Sequence, residues 1–214
     1  MCGSRRNFLF WLNLAATFAL SGAALAASRN EGGLKDMKLA NFEQLNGKFK
    51  QTKILKELNV EIKTEGRFQV LKQGKDASIF RWDIVKPKPS KICIDSLGIV
   101  MDSADGDPAK RKNLKFSEVG KEAGDQIASL LKIITMDQNK IGDEFTIEKQ
   151  DKLFVLSPKN KDGAFFETAT LDINKAGLAQ NVMIKEKSQD EIQIHFSDLK
   201  TKTTPAAKEE TCAR

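Results

Sequence analysis

Few residues of this chain are equipped to do chemistry. Its 214 residues include one histidine and three cysteines. His195 stands on the polar parity of its segment, between Ile194 and Phe196, so it is expected to be an exposed strand residue rather than a base. No Ser-His-Asp set, HExxH motif or phosphate loop can be assembled. The stretch Asp102 to Pro108 superficially resembles a calcium loop, but it lacks the bidentate glutamate at the twelfth position and reads as a solvated turn. The acids are scattered among lysines, as on a solvated face. Two carboxylates would suffice for a glycosidase, yet no pair is singled out. The chain therefore reads as a binding protein and not an enzyme, with no cofactor and no metal site.

What it binds depends on the elements that carry its apolar residues. Val60, Ile62, Thr64, Gly66, Phe68 and Val70 share one parity, and Glu61, Lys63, Glu65, Arg67 and Gln69 share the other. A period of two gives a long strand with one apolar and one charged face. Lys72 to Asp76 forms a turn, with Gly74 free to take positive φ. The chain returns with Phe80, Trp82 and Ile84 on one face and stops at Pro87, since proline cannot donate to a continuing ladder. Before this hairpin, Leu34 to Leu45 is spaced as a short amphipathic helix ended by Gly47. A strand from Phe49 to Leu58 follows it. Beyond the hairpin, Ile92, Ile94 and Leu97 to Met101 give one or two short strands.

Ser117 to Thr135 carries the strongest helical pattern. Val119, Ala123, Ile127, Leu130, Leu131 and Ile134 mark one stripe, and Ser117 can cap its start. Gly120 and Gly124 inside it imply close packing or a helix built to be loose. From Glu144 onward short strands alternate with turns. Phe145 and Ile147 form one set, Leu153 and Val155 the next, then Phe165, Ala169, Leu171 and Ile173. Val182 with Ile184, and Ile192 with Ile194 and Phe196, complete an antiparallel meander, sheet or barrel.

The ends fix the compartment. Arg5 and Arg6, the apolar run Phe8 to Leu25, and Ala24-Leu25-Ala26 make residues 1–26 an export signal cleaved near Ala26. Residues 27–203 then form one domain, and 204–214 a flexible tail. Removing the signal takes two arginines, which leaves 33 basic against 29 acidic side chains. With the signs interspersed, nucleic-acid binding is not indicated, and weak attraction to anionic headgroups is. Cys2 leaves with the signal. Cys93 and Cys212 remain in a compartment that permits a disulfide; the competing reading is a buried Cys93 beside Ile92 and Ile94 with Cys212 mobile in the tail.

Order and spacing of several short motifs carry a resemblance. Phe49-Lys-Gln-Thr52, Gly66-Arg-Phe68, Phe80-Arg-Trp82 with Pro87, and Leu156-Ser-Pro-Lys159 together resemble the periplasmic lipoprotein carrier family, LolA, from about Leu34 to Thr203. The resemblance implies a mainly β, α+β fold: an incomplete, strongly curved antiparallel β-barrel with a helical lid over an apolar cavity. It also implies a periplasmic monomer that takes acylated lipoproteins from an inner-membrane ABC transporter to an outer-membrane receptor. On that reading Val60, Ile62, Phe68, Val70, Phe80, Trp82 and Ile84 line the acyl cavity. Val119, Ile127, Leu130, Leu131 and Ile134 face it from the lid. Lys72 stands where the family carries an arginine that hydrogen-bonds to the lid, and lysine lacks the planar fork. Met101 to Phe116 lacks the family's aromatic strand. Two alternatives use the same fold: a carrier of another amphiphile, and an envelope-sensing regulator.

Overall fold

The computed structural model describes residues 33–73, 77–103, 107–116, 118, 133, 138–162, 164, 166–205 and 212. The predicted export signal over 1–26 and the turn residues Gly74 to Asp76 lie outside them. So do Phe165 and the stripe Val119, Ile127, Leu130, Leu131 and Ile134. Eleven strands form one antiparallel sheet: β1 (Gln44–Leu55), β2 (Val60–Gln73), β3 (Ala77–Lys86), β4 (Ser90–Asp95), β5 (Gly98–Ser103), β6 (Lys112–Lys115), β7 (Phe145–Gln150), β8 (Leu153–Pro158), β9 (Phe166–Ile173), β10 (Ala179–Glu186) and β11 (Glu191–Lys202). Their spatial order is β6-β5-β4-β3-β2-β1-β11-β10-β9-β8-β7. Neighbours in sequence are neighbours in space except β6 and β7, which form the two edges. At one seam the first strand pairs the last, with Gln44 opposite Lys202 and Ile54 opposite Glu191.

The sheet is open and strongly curved. Trp82 on β3 and Leu156 on β8 stand six strands apart, about 29 Å on a flat sheet. Both belong to a single buried apolar cluster, so the sheet must bend around it. Alternation supplies the lining: Phe49, Phe68, Val70, Phe80, Trp82, Phe154, Leu156, Ala169, Leu171, Val182, Ile184, Ile194 and Phe196 are buried on the concave side, while their odd or even neighbours face outward.

Three expectations change. The predicted helix Leu34 to Leu45 is only α1 (Gly33–Asp36). Beyond it the chain is committed to the sheet. The N–H of Ala40 donates to the Gly177 carbonyl, that of Glu43 to Lys202, and the Glu43 carbonyl accepts from Lys72 N–H. Met37, Phe42 and Leu45 are buried all the same, because an extended segment laid across the sheet end satisfies their apolar spacing as well as a helix would. In β9 Phe166 is buried although it stands on the other parity from Ala169. A register shift between Lys185 and Glu186 on β10 lets Phe166 and Ala169 both face inward. Finally β6, with the sequence Lys-Asn-Leu-Lys, and α2 (Gln138–Glu144) were not foreseen. Four residues with one apolar side chain carry too little alternation to be read.

Candidate functional site: the apolar concave face

The concave face is organised by two glycines. Gly47 on β1 opposes Phe68 on β2, and Phe49 opposes Gly66. A Cβ on Gly47 would reach 2.9 Å from the Phe68 ring, and one on Gly66 would overlap the Asp83 carbonyl. Gly47 therefore leaves the facing Phe68 ring room to lie along the sheet, and Gly66 lets the β3 backbone approach closely at the register shift beside it. Trp82, paired in register with Phe68, stacks on Phe49 with centroids 3.7 Å apart. Phe80 lies 5.3 Å from it, and Phe68 meets Phe196 at 4.8 Å. Five aromatic rings from β1, β2, β3 and β11 thus form one patch, where offset and edge contacts are favoured over burial alone.

Rows of the same face continue toward the β1–β2 turn. Next come Gln51 opposite Thr64, then Lys53 opposite Ile62, then Leu55 opposite Val60. Thr64 Oγ1 is buried without a hydrogen-bond partner. Lys53 Nζ is held 3.0 Å from Glu186 Oε1. Val60 and Ile62 are 44% and 45% exposed, and Leu58 in the turn is 69% exposed. The concave track therefore runs from a buried aromatic centre, past the Gln51–Thr64 row and the Lys53–Glu186 ion pair, to an exposed apolar end.

Of the predicted lining residues, Phe68, Val70, Phe80 and Trp82 are buried in the core and Ile84 packs against it, whereas Val60 and Ile62 stand clear of it. Residues outside the sheet cover the same cluster: Met37 and Phe42 from the N-terminal segment, Ile133, and Ile141 of α2. Ile133 is helical and fully buried, one position before the predicted stripe residue Ile134. Lys72 sits with its ammonium 4.3 Å above the Phe42 ring, a cation–π contact. Phe49 and Phe196 were missed as site residues, although each shares the parity of apolar neighbours in its strand. Phe42 was missed because its spacing was read as helical.

The convex face is polar, with two exceptions. Leu71, Ile79 and Val100 form a second buried cluster with Cys212, which is bonded to Cys93 with Cα atoms 5.7 Å apart. Asp95, itself buried, accepts hydrogen bonds from the N–H groups of Leu97 and Gly98 at Oδ1 and of Cys212 at Oδ2. Cys212 is 2% exposed, so the tail is anchored at that residue. The second exception is an open trough of about 440 Å³ over β1, β11, β10 and β9, lined in part by Lys50, Thr170, Met183 and His195. There Asn181 Oδ1 lies 2.7 Å from His195 Nδ1, and Asn181 Nδ2 donates to Asp172. An amide joins the ring to the carboxylate, and no nucleophile is hydrogen-bonded to His195 among the described residues. Among those residues, too, no three His, Cys, Asp or Glu side chains converge as metal ligands would.

Ion pairs set the titration of the surface carboxylates. Glu65 is held below the ordinary carboxylate value by a hydrogen bond from Lys86, which is raised in turn. Asp198 is lowered by Lys48, Glu167 by Lys185, and Asp102 by Arg111. Each is a strand-face pair, and none points into the apolar track.

A family profile described as Outer membrane lipoprotein carrier protein LolA matches residues 40–209. The chain belongs to the LolA family. The matched span begins just before β1 and runs past β11, so it takes in the whole LolA-type sheet. Among solved structures, a chain of the Pseudomonas aeruginosa MucA/MucB complex is similar at 9% identity and TM-score 0.45, over 86% of this chain and 60% of that one. This chain thus spans 60% of that protein's length. An outer membrane lipoprotein-sorting protein domain from Vibrio parahaemolyticus is similar at 10% identity and TM-score 0.41, covering 81% of this chain and 93% of that one. A LolA superfamily protein from Nitrosomonas europaea gives 13% identity and TM-score 0.39, over 84% and 94%. Comparison with curated protein sequences gives no match.

Proposed function

We propose that this LolA-family chain is a periplasmic carrier that shields the acyl chains of lipoproteins on its concave face and conveys them from the inner to the outer membrane. One observation carries the reading: the apolar track that leads from the Phe49–Phe68–Phe80–Trp82 patch to the exposed Ile62, Val60 and Leu58. A core that exists only to fold the domain gains nothing by extending into water. An acyl chain entering from that end would gain much, since about 0.8 kcal/mol per CH₂ makes a sixteen-carbon chain in water cost about 12 kcal/mol. In this reading the predicted helix Ser117–Thr135 is the lid, and cargo enters by displacing it. The donor is an inner-membrane ABC transporter and the acceptor an outer-membrane receptor.

The test combines cargo analysis with two exposed positions. Protein purified from the envelope fraction is expected to release acylated lipoprotein on denaturation in mass spectrometry, and its Trp82 fluorescence is expected to shift when cargo is stripped. The V60E/I62E double variant should keep its melting temperature, because both side chains are already exposed, and should purify without cargo. Recovery of a different amphiphile would move the reading to a carrier of that compound. Recovery of no acyl-bearing molecule, with Trp82 indifferent to added lipid, would overturn it.

A further inference from the structure

A belt of polar groups crosses the concave track between its aromatic centre and its exposed end. Thr64 on β2 faces Gln51 on β1, and in the next row Lys53 stands opposite Ile62. On its other side Lys53 is in register with Ile192 of β11. Its ammonium nevertheless reaches across that strand to Glu186 on β10, 3.0 Å from Oε1 and 3.2 Å from Oε2. Ser188 Oγ donates to Glu186 Oε2 at 3.3 Å. Both carboxylate oxygens are therefore taken, and the Lys53–Glu186 pair carries no net charge. The belt spans four neighbouring strands, β2, β1, β11 and β10. Within it Thr64 Oγ1 is buried and has no hydrogen-bond partner among the described residues. Phe68 of the aromatic patch lies four residues further along β2, about 14 Å at about 3.4 Å per residue. In the other direction stand the exposed Val60 and Leu58.

We propose that this belt is the subsite for a neutral acyl carbonyl, one whose carboxyl group is esterified or amidated, with the Thr64 hydroxyl as its donor. The belt can act so only if the acyl-carrier reading holds, and it narrows that reading to a class of ligand. A buried hydroxyl without a partner destabilises the fold, and valine would suit the strand better, so folding alone gives no reason for a hydroxyl here. A carbonyl oxygen brought beside Thr64 accepts its O–H and removes that cost, while the hydrocarbon lies toward the aromatic patch. Charge selects against other acyl compounds. A carboxylate or phosphate would have to leave water for a partly buried site. There it would meet the Glu186 charge, and the Lys53 ammonium that could hold it is already neutralised. A neutral carbonyl breaks no ion pair. An alkyl ether, a poorer acceptor, gains less from the hydroxyl.

The test is calorimetric titration of the protein, purified from the envelope fraction and stripped of bound lipid, with probes that share one alkyl chain length. These are the ester monododecanoylglycerol, the amide N-dodecanoylethanolamine, the ether dodecylglycerol and the anion dodecanoate, each below its micelle concentration. The ester and the amide are expected to bind about tenfold more tightly than the ether, the worth of one buried hydrogen bond, and dodecanoate more weakly than either. The tighter of the first two identifies the linkage that the belt prefers. T64V should bring the ester and the amide down to the ether value, whereas T64S, which keeps the hydroxyl, should retain the preference. Thermal melts separate loss of the donor from loss of the fold, since T64V is expected to melt no lower than wild type. Three results would overturn the proposal and leave acyl carriage standing: equal binding of ester, amide and ether by wild type, an undiminished preference in T64V, or dodecanoate held as tightly as the ester. Binding of none of the probes by wild type, with Trp82 fluorescence unmoved, would overturn the carrier reading and the subsite together.

Discussion

At the scale of single residues, Thr64 is the place where folding and site most clearly disagree. Its hydroxyl is buried between Gly66 and Ile62 on the concave face with no hydrogen-bond partner. A buried orphan of this kind costs about 1–3 kcal/mol. Valine has nearly the same shape and suits a strand better. T64V is therefore expected to stabilise the protein by about 1 kcal/mol, raising the urea midpoint at unchanged slope; a lowered midpoint would show that the hydroxyl has a partner in solution. Sequence parity placed Thr64 correctly among the inward residues. It could not show the missing partner, because satisfaction of a hydroxyl depends on atoms brought in from other strands. The same limit explains Phe49 and Phe196: the first reaches Trp82 only across β2, and the second only once β11 has closed on β1.

Among the elements, the Cys93–Cys212 bridge and the Asp102–Arg111 pair each fasten a segment that packs little. The disulfide spans 119 residues and closes β5 to β11 into one covalent loop, with β1 to β3 outside it. Constraint of the unfolded chain over such a loop contributes about 5 kcal/mol in the chain-entropy model. C212S, or wild type unfolded under reductant, should lose stability of that order in urea titration. Equal stability with and without reductant would mean that the bridge is not formed. The salt bridge acts on β6: Arg111 Nε lies 2.6 Å from Asp102 Oδ1 and Nη2 3.1 Å from Oδ2, tying the start of β6 back to β5. Asp102 is held below its ordinary value of 3.8, chiefly by the hydrogen bond from Arg111. A lowered folded value means that the pair's stabilisation is complete above the unfolded value and is lost as pH falls through the folded one. D102N should thus melt below wild type at neutral pH, and the gap should narrow under acid conditions below about pH 3.8. A gap independent of pH would assign the loss to packing. Neither fastening was legible as an interaction. The cysteines could be counted but not paired, and Asp102 read as part of a solvated turn, since a cross-strand partner nine positions on requires the β5–β6 register.

For the whole molecule, the sheet was legible in its strands and not in its seam. Periodicity of two marks β2, β3, β10 and β11 because each has one wet and one buried face. On β8 the expected set Leu153 and Val155 faces outward and Phe154 and Leu156 are buried, since four consecutive apolar residues leave the parity open. Nothing local tells β1, which keeps its hairpin with β2, to pair β11 along its other edge. That seam divides the sheet into two runs of sequential hairpins, β2 to β6 on one side and β7 to β11 on the other, which β1 joins. Each run can form from contacts between sequence neighbours. The β1–β11 ladder cannot, since it joins Gln44 to Lys202 and Ile54 to Glu191, and long loops must close before it gains anything. Non-local pairing of this kind slows folding, so seam closure is expected to be the step that limits the rate. Ile194→Ala, at a buried position of β11 paired with Gln51, should then slow refolding by most of its equilibrium cost of about 2–5 kcal/mol. Leu156→Ala, buried on β8 far from the seam, should leave refolding nearly unchanged and accelerate unfolding. Stopped-flow refolding of both variants with the disulfide intact decides between them. If Leu156→Ala slows refolding while Ile194→Ala does not, the run β7 to β11 nucleates first and the seam closes afterwards without cost to the rate.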